Sequence, residues 1–384
     1  MSAEPRPYQR CTRTIMDTTD PDIWFDENGV SSHALVFDER VAPVLFPAQR
    51  GERLGELDKL VTTIKAAGQG KPYDCVIGVS GGVDSSYLAL QAVKLGLRPL
   101  AVHFDSGWNS ELAVGNIHSL VTTLGLDLYT HVADWREMKD LQLSFLKASV
   151  ANADTPTDHA FGWVAYTQAA KYGIKYILSG SNYASESILP ESWGYNADDS
   201  RHLKAVQRRF GKVKLKTYPV MGMFKRHIWY PFARRIQIVA PLNYMPFAYK
   251  DAKRAITEEL GWRDYGGKHY ESVFTRYFQG YYLPHKFGYD KRLAHYSSLI
   301  LSDQITRDEA LSLLETTNYP EDLRKQDHEF IAKKLGVTLE ELEAFCALPS
   351  VSYTAYPNSH TFWGRARRLA TPVDRLARRV GLLR

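Results

Sequence analysis

Apolar and polar positions change rhythm twice along the chain. Residues 1–50 are rich in Pro, Asp and turn formers and read as an extended segment wrapped on a body that begins later. From Tyr73 the pattern becomes regular. A short apolar run over 74–79 enters a Gly-rich turn, and a helix follows with Val83, Tyr87 and Leu90 on one face and Gly96 at its end. Further apolar runs over 99–104, 127–132, 175–178 and 237–240 predict strands. Helical periodicity over 111–124, 135–150, 158–172 and 250–260 separates or follows them. Short strands alternating with helices predict an α/β protein, a parallel sheet of about five strands flanked by helices, with ligands at the carboxyl ends of the strands. Beyond Gly261 the chain becomes aromatic and basic, then helical over 306–316, 321–335 and 338–347. The expected organisation is an N-terminal extension (1–60), an α/β domain (61–260) and a mostly helical C-terminal region with a basic tail (261–384).

Composition narrows the class. With 44% apolar, 12% aromatic and 24% charged residues over 384 positions, the chain is an ordinary globular protein, and no repeat period is visible. No run approaches the roughly 18 apolar residues of a membrane span, and the first residues lack the apolar core of a signal peptide, so a cytoplasmic protein is expected. The net charge of +5 hides a strong asymmetry. Residues 201–235 hold 11 Lys/Arg and no acid, and residues 364–384 hold 7 Arg against Asp374. These two segments carry +17, which leaves the rest of the chain at −12. Local anion contacts are therefore expected rather than a general nucleic-acid surface.

The most informative segment runs from Val76 through Ser80-Gly81-Gly82-Val83-Asp84-Ser85-Ser86. An apolar strand enters a turn whose glycines let backbone N–H groups close on an anion, and the next helix opens with its dipole toward that anion. The spacing fits neither GxxxxGK[ST] nor GxGxxG. SGGVDS resembles the PP-loop of ATP pyrophosphatases, the family of GMP synthetase, NAD synthetase and argininosuccinate synthetase. That resemblance implies an adenine nucleotide alpha hydrolase-like fold and cleavage of ATP between the α and β phosphates. Ser80, Gly81, Gly82, Asp84, Ser85 and Ser86 would hold the nucleotide, and Asp84 would be the carboxylate on the Mg²⁺ side. His103 and Asp105, at the end of the second strand, would flank adenine and ribose. Gly180 and Asn182, after the fourth, would form the opposite wall. A bare strand-end turn with an Asx-type hydrogen bond is the alternative for these last four.

A wider resemblance is carried by FDENGV, SGGVDSS, SGSNYASES, APLNY with Lys250, GWRDYGGKHYES…TRYFQGYYLP.KFGYDKR and AHYSSLILSDQITRDEAL, covering roughly residues 8–350. These are similar to the N-acetyl sugar amidotransferases of bacterial surface-polysaccharide (lipopolysaccharide, O-antigen) synthesis. The resemblance implies conversion of an acetamido group on a nucleotide-sugar into an acetamidino group, with ATP and ammonia. It makes Asp84, Glu186, His269, Glu271 and Lys286 the catalytic candidates. Lys268, Arg276, Lys286, Lys291 and Arg292 become the substrate-binding candidates. It also implies a separate glutaminase that supplies ammonia through a channel. A tRNA-modifying enzyme and a non-catalytic nucleotide-binding scaffold are the alternatives; with no reactive cysteine placed near the loop, no nucleic-acid partner is expected.

Relatives carry CxxC followed by GVCxxC, four thiolates spaced for zinc. Here only Cys11 remains, with Thr14, Ser31 and Ala34 at the other places and His33 nearby, so no zinc site is expected. Of the basic segments, 201–235 interleaves bases with aromatics and suits a flap over an anionic substrate, a partner surface or a solvated face. The tail suits an anionic membrane, a partner or a solvated helix. A homo-oligomer is compatible with all of this.

Overall fold

The computed structural model describes residues 6–194, 197–268, 270–317 and 319–359. Its centre is a five-stranded, all-parallel sheet in the order β3-β2-β1-β4-β5, with β1 Cys75–Gly78, β2 Pro99–Asp105, β3 Leu128–Val132, β4 Tyr176–Leu178 and β5 Gln237–Val239. The central strand β1 pairs with β2 from Cys75 opposite Pro99 and with β4 from Cys75 opposite Tyr176. Its continuous apolar run follows from helices covering both faces, which leave no side for polar residues. The edge strand β3 instead alternates between exposed and half-buried positions.

Successive residues of a strand point to opposite faces, so the sheet divides the core in two. Ile77 and Val79 join one apolar cluster, together with Leu88 and Leu90 of the helix after β1, Ile15 and Phe37 from the N-terminal segment, and Leu293 and Leu301. Val76, Leu100, Val102 and Phe104 join the other, with Trp108, Phe145, Val164, Tyr277 and Ile331. The flanking helices are α1 Leu54–Gly68, α2 Val83–Lys94, α3 Glu111–Leu124, α4 Trp135–Ala148, α5 Thr155–Lys171, α6 Ser200–Phe210 and α7 Tyr249–Leu260. The C-terminal part adds α8 Lys291–Leu301, α9 Arg307–Glu315, α10 Glu321–Leu335 and α11 Leu339–Ala347. Local chemistry sets their ends. The Asp134 side chain caps α4 by accepting from the N–H groups of Arg136 and Glu137, and Gly125 closes α3 in the left-handed conformation at φ 63°.

The α/β class, the five parallel strands and the flanking helices agree with the sequence pattern. One expectation changes. The N-terminal segment is not extended throughout, because 32–49 is helical: Ser32–Val36, Phe37–Val41 and Ala42–Gln49 follow one another. Ala34, Phe37, Val41, Leu45 and Ala48 are buried from this stretch, and their spacing of three and four is the helical signal that its prolines obscured. The segment also joins the far end of the chain: Ile15 N–H donates to Ser297 Oγ at 3.2 Å, and Arg307 Nε donates to the Thr14 carbonyl at 3.0 Å. The basic stretch 201–235, left open between a flap, a partner surface and a solvated face, includes most of α6 and a π-helical stretch, Lys225–Ala233.

Cys11 is buried, and its Sγ accepts from the N–H groups of Thr14 at 3.3 Å and Ser31 at 3.2 Å. His33 Nε2 meets Asp20 Oδ2 at 2.7 Å. Among the described residues no group of three or more His, Cys, Asp or Glu side chains is arranged to hold a metal ion. None of the described helices is long and apolar enough to cross a membrane.

Candidate active site

The loop after β1 is shaped by close approaches that only glycine permits. Gly81 sits at φ +82°, and a Cβ there would lie 2.8 Å from the Ala113 carbonyl oxygen of α3. A Cβ at Gly180 would press on the Asp84 backbone at 3.1 Å, so the turn after β4 nearly touches the first turn of α2. The Trp262 indole N–H fixes the loop from outside by donating to the Gly81 carbonyl at 2.8 Å. Within it, Ser80 Oγ accepts from Gly82 N–H at 3.2 Å, and Ser85 Oγ donates to the Gly82 carbonyl at 3.2 Å. Gly82 lines a cavity at the N-terminus of α2, where the helix dipole favours an anion.

Two cavities meet at this point. One, of about 610 Å³, is lined by Ser80, Gly82, Asp84, Ser85, His103, Ser179, Gly180 and Ser181, and on its far side by Asp154, Asp158, Arg226 and Glu271. The other, of about 530 Å³, lies beyond it among Trp193, Tyr270, Arg292 and Tyr296. Glu186, Tyr249, Tyr265, Lys268 and Lys291 line both. Lys268 Nζ stands 2.9 Å from Glu186 Oε1 and 3.6 Å from Asp84 Oδ2. Asp84 also accepts from the Asn182 side-chain amide at 3.0 Å. Burial opposes the charge on Lys268, but the two carboxylates outweigh it and hold the pKa above the ordinary lysine value. Lys291 shows the reverse: burial draws its pKa down, and Asp158, Asp154 and Glu186 offset that only in part. Burial likewise raises the Asp154 carboxyl, although Thr275 Oγ1 donates to it at 2.6 Å. One lysine at the junction is therefore a firm cation, and the other gives up its proton more readily.

The far wall of the junction comes from the segment that runs from Lys268 into α8, within the last third of the chain. Residues 271–370 match the family model of the LPS biosynthesis protein WbpG-like C-terminal domain. The resemblance to surface-polysaccharide enzymes drawn from the sequence is borne out over this region. Solved structures align loosely. A predicted subunit of tRNA methyltransferase from Methanocaldococcus jannaschii aligns at 18% identity and a TM-score of 0.27, over 48% of this chain and 76% of that one. NMN synthetase from Francisella tularensis aligns at 15% identity and a TM-score of 0.28, over 58% and 91%. Overlaps this loose say nothing of activity. A search of curated proteins found no match.

The WbpG-like region contributes Glu271 and Lys291 to the first cavity and Lys291 and Arg292 to the second, but it does not place every candidate there. Arg276 is not a phosphate contact. Its guanidinium is buried against Asp327 of α10, with Nε–Oδ2 at 2.6 Å and a second bond at 2.8 Å, and Tyr319 Oη donates to the same carboxylate. Lys286 points away from both cavities and donates to the Phe345 carbonyl at 2.8 Å and the Cys346 carbonyl at 3.3 Å, closing the C-terminus of α11. Arg292 reaches the cavity wall while paired with Asp290 at 2.6 Å. His269 lies outside the described residues, as does the basic tail.

Among the loop residues, Ser86 is fully buried inside α2 and faces neither cavity, and Gly81 shapes the loop without lining it. His103 reaches the cavity as a neutral ring. Its Nδ1 bonds the Val79 carbonyl at 2.8 Å, Asn109 meets Nε2 at 2.9 Å, and burial lowers its pKa. Asp105 is off the wall, and its carboxylate accepts from Gly107 N–H at 2.8 Å in the strand-end turn. Asn182 acts through Asp84 and by capping the turn at Ser185.

Sequence reading missed Asp154, Asp158, Arg226, Tyr249 and Tyr265. Asp154 and Asp158 lie four apart, at the N-cap and in the first turn of α5, and that spacing of two acids was the available signal. Arg226 belongs to the basic stretch. It pairs with Asp198 at 2.7 Å and lines the loop cavity, so that stretch does bring a cation to the wall.

Proposed function

We propose that the protein is an ATP-dependent amidotransferase of bacterial surface-glycan synthesis, acting on an N-acetylated nucleotide-sugar. The observation that carries this reading is the junction itself. A glycine loop open to an anion meets, across one buried lysine, a second cavity large enough for another substrate. The residues present suit ATP. Gly82 leaves room beside Ser80 Oγ, Tyr265 Oη and Glu271 where a Cβ would intrude, and loop N–H groups, Lys268 and Arg226 supply positive charge for phosphates. A Mg²⁺ ion accompanying the phosphates would find Asp84 and Glu271 on the wall and would take its other ligands from phosphate oxygens and water.

The chemistry balances. The acetamido oxygen attacks the α-phosphorus, pyrophosphate leaves, the amide nitrogen loses its proton to solvent, and an imidate bonded through oxygen to AMP results. Ammonia adds to the imidate carbon and loses a proton, and the C–O bond breaks to release AMP and the amidine. Lys268 neutralises charge on the phosphates as they separate, an interaction that grows toward the transition state. Lys291, with its lowered pKa, and Asp154, with its raised one, are the groups suited to receive the proton lost by ammonia. In this reading a separate glutaminase delivers ammonia, and the protein works in the cytoplasm.

The test is incubation with ATP, Mg²⁺, ammonium and a panel of acetamido nucleotide-sugars, followed by assay of AMP and product mass. The product is about one mass unit lighter because NH replaces O. Release of ADP sinks the adenylylation chemistry, and AMP release that requires tRNA rather than sugar sinks the substrate class.

A further inference from the structure

The helical stretch Lys225–Ala233 has two unlike faces. Its inner face is anchored on α5: the buried Tyr230 ring stacks on Tyr166 at 5.0 Å, and the Arg226 guanidinium lies over the same ring at 4.5 Å while pairing with Asp198. Those two anchors are four residues apart, and the same spacing recurs on the outside. Phe224, Ile228 and Phe232, with Trp229 beside them, are 63, 49, 75 and 45% exposed, so these large apolar side chains stand in water as a group rather than singly. A grouped apolar surface of this kind marks a face that another body covers.

The charge around it says which body. Lys225 and His227 are exposed on the stretch itself, and Arg234 and Arg235 are exposed where it ends. Lys175 reaches the same end by donating to the Arg234 carbonyl at 2.7 Å, and Lys71 donates to the Gly173 carbonyl at 2.8 Å. Burial draws the Lys175 pKa down, and repulsion from Lys71, Arg234 and Arg235 draws it further. Among the described residues, Lys71, Lys175, Lys225, Arg234 and Arg235 form no ion pair with a carboxylate. A second copy docked through this face would set these cations against themselves, and single-stranded RNA would find no ring on Ile228 to stack a base on. An anionic bilayer suits both features, because its headgroup boundary takes in apolar side chains while its phosphates face the cations. We propose that the outer face of this stretch, Phe224, Ile228, Trp229 and Phe232 flanked by Lys225, Arg234 and Arg235, binds the surface of an anionic membrane. Arg226, on the inner face, lines the loop cavity, so a membrane held here lies one helix away from the candidate active site. The inference requires neither ATP nor sugar and stands apart from the proposed function.

Two double variants of the full chain test this. Ile228→Ser with Phe232→Ser removes apolar side chains, and Lys225→Glu with Arg235→Glu reverses two charges. All four positions are exposed, so Tm should stay within about 2 °C of wild type. Flotation compares phosphatidylcholine vesicles with and without about 30% phosphatidylglycerol. Wild type is expected to float with the anionic vesicles and to stay behind with the neutral ones. Each double variant should lower the partition constant about tenfold, and salt at about 0.5 M should release the protein. Absent flotation, or equal flotation with both vesicles, overturns the proposal. Flotation that either double variant leaves unchanged assigns the binding elsewhere in the chain, the basic tail included, and overturns this face. A dimer in sedimentation velocity that Ile228→Ser with Phe232→Ser dissociates gives the face to a second copy, and binding of oligouridylate in place of vesicles gives it to RNA; either result overturns the membrane assignment.

Discussion

Replacing Lys268 with Met tests the junction most directly, because it removes the cation and keeps the bulk of the side chain. The carboxylates at 2.9 and 3.6 Å interact with the ammonium by about 6 and about 5 kcal/mol at an effective dielectric near 20. Most of that gross attraction is cancelled by the desolvation of all three groups. What the substitution exposes is the cost of taking the nearest cation from the carboxylates of Asp84 and Glu186, about 3 kcal/mol. An unfolding entropy of about 2.1 cal/mol/K per residue over 384 residues converts this to a fall in Tm of about 4 °C. Catalysis should suffer more than stability. Losing a positioned charge that acts on the separating phosphates costs about 10²- to 10³-fold in kcat. Differential scanning fluorimetry and steady-state AMP release measure the two effects, with Lys286→Met as the control because that lysine serves only the end of α11. A Lys268→Met protein with lowered Tm and turnover within threefold of wild type would refute the catalytic role and leave Lys268 a structural cation.

Three further expectations follow from named contacts. Arg276→Ala leaves Asp327 buried without its partner, so Tm should fall by about 4–6 °C, on a cost of about 3–5 kcal/mol, while the KM values stay within twofold; a raised KM with unchanged Tm would restore Arg276 to the binding site. His202 is buried beside Phe145 with its pKa lowered to about 4, so the unfolded chain binds the proton first as pH falls below about 6.5. The stability that it contributes is present above that pH and is lost down to about 4, an amount of about 3 kcal/mol, and urea titrations from pH 7 to 4 should show a shallower acid loss in His202→Gln. Gly81→Ala forces a Cβ into the Ala113 carbonyl at a left-handed φ; it should cut AMP release more than tenfold and lower Tm by a few degrees, and a fully active variant would contradict the reading of the loop.

The sequence by itself determined the parallel sheet and the position of the nucleotide loop, because strand and helix periodicities and a glycine turn are local properties. Val76 and Ile77 must be buried on opposite faces, and the loop after them must open at the N-terminus of α2, whatever else packs nearby. It also named Asp84, Glu186, Lys268 and Lys291 for the site. Which charged side chains work together was decided only in three dimensions. Lys286, Arg276 and Lys268 are all cations of one aromatic stretch, and nothing local distinguishes them. The fold gives the first to a helix end, the second to Asp327 and the third to Asp84, because a buried charge takes whichever counter-charge the packing brings within reach. Asp154 and Asp158 escaped notice for the same reason: two acids on a helix are unremarked until the C-terminal region sets Lys291 against them.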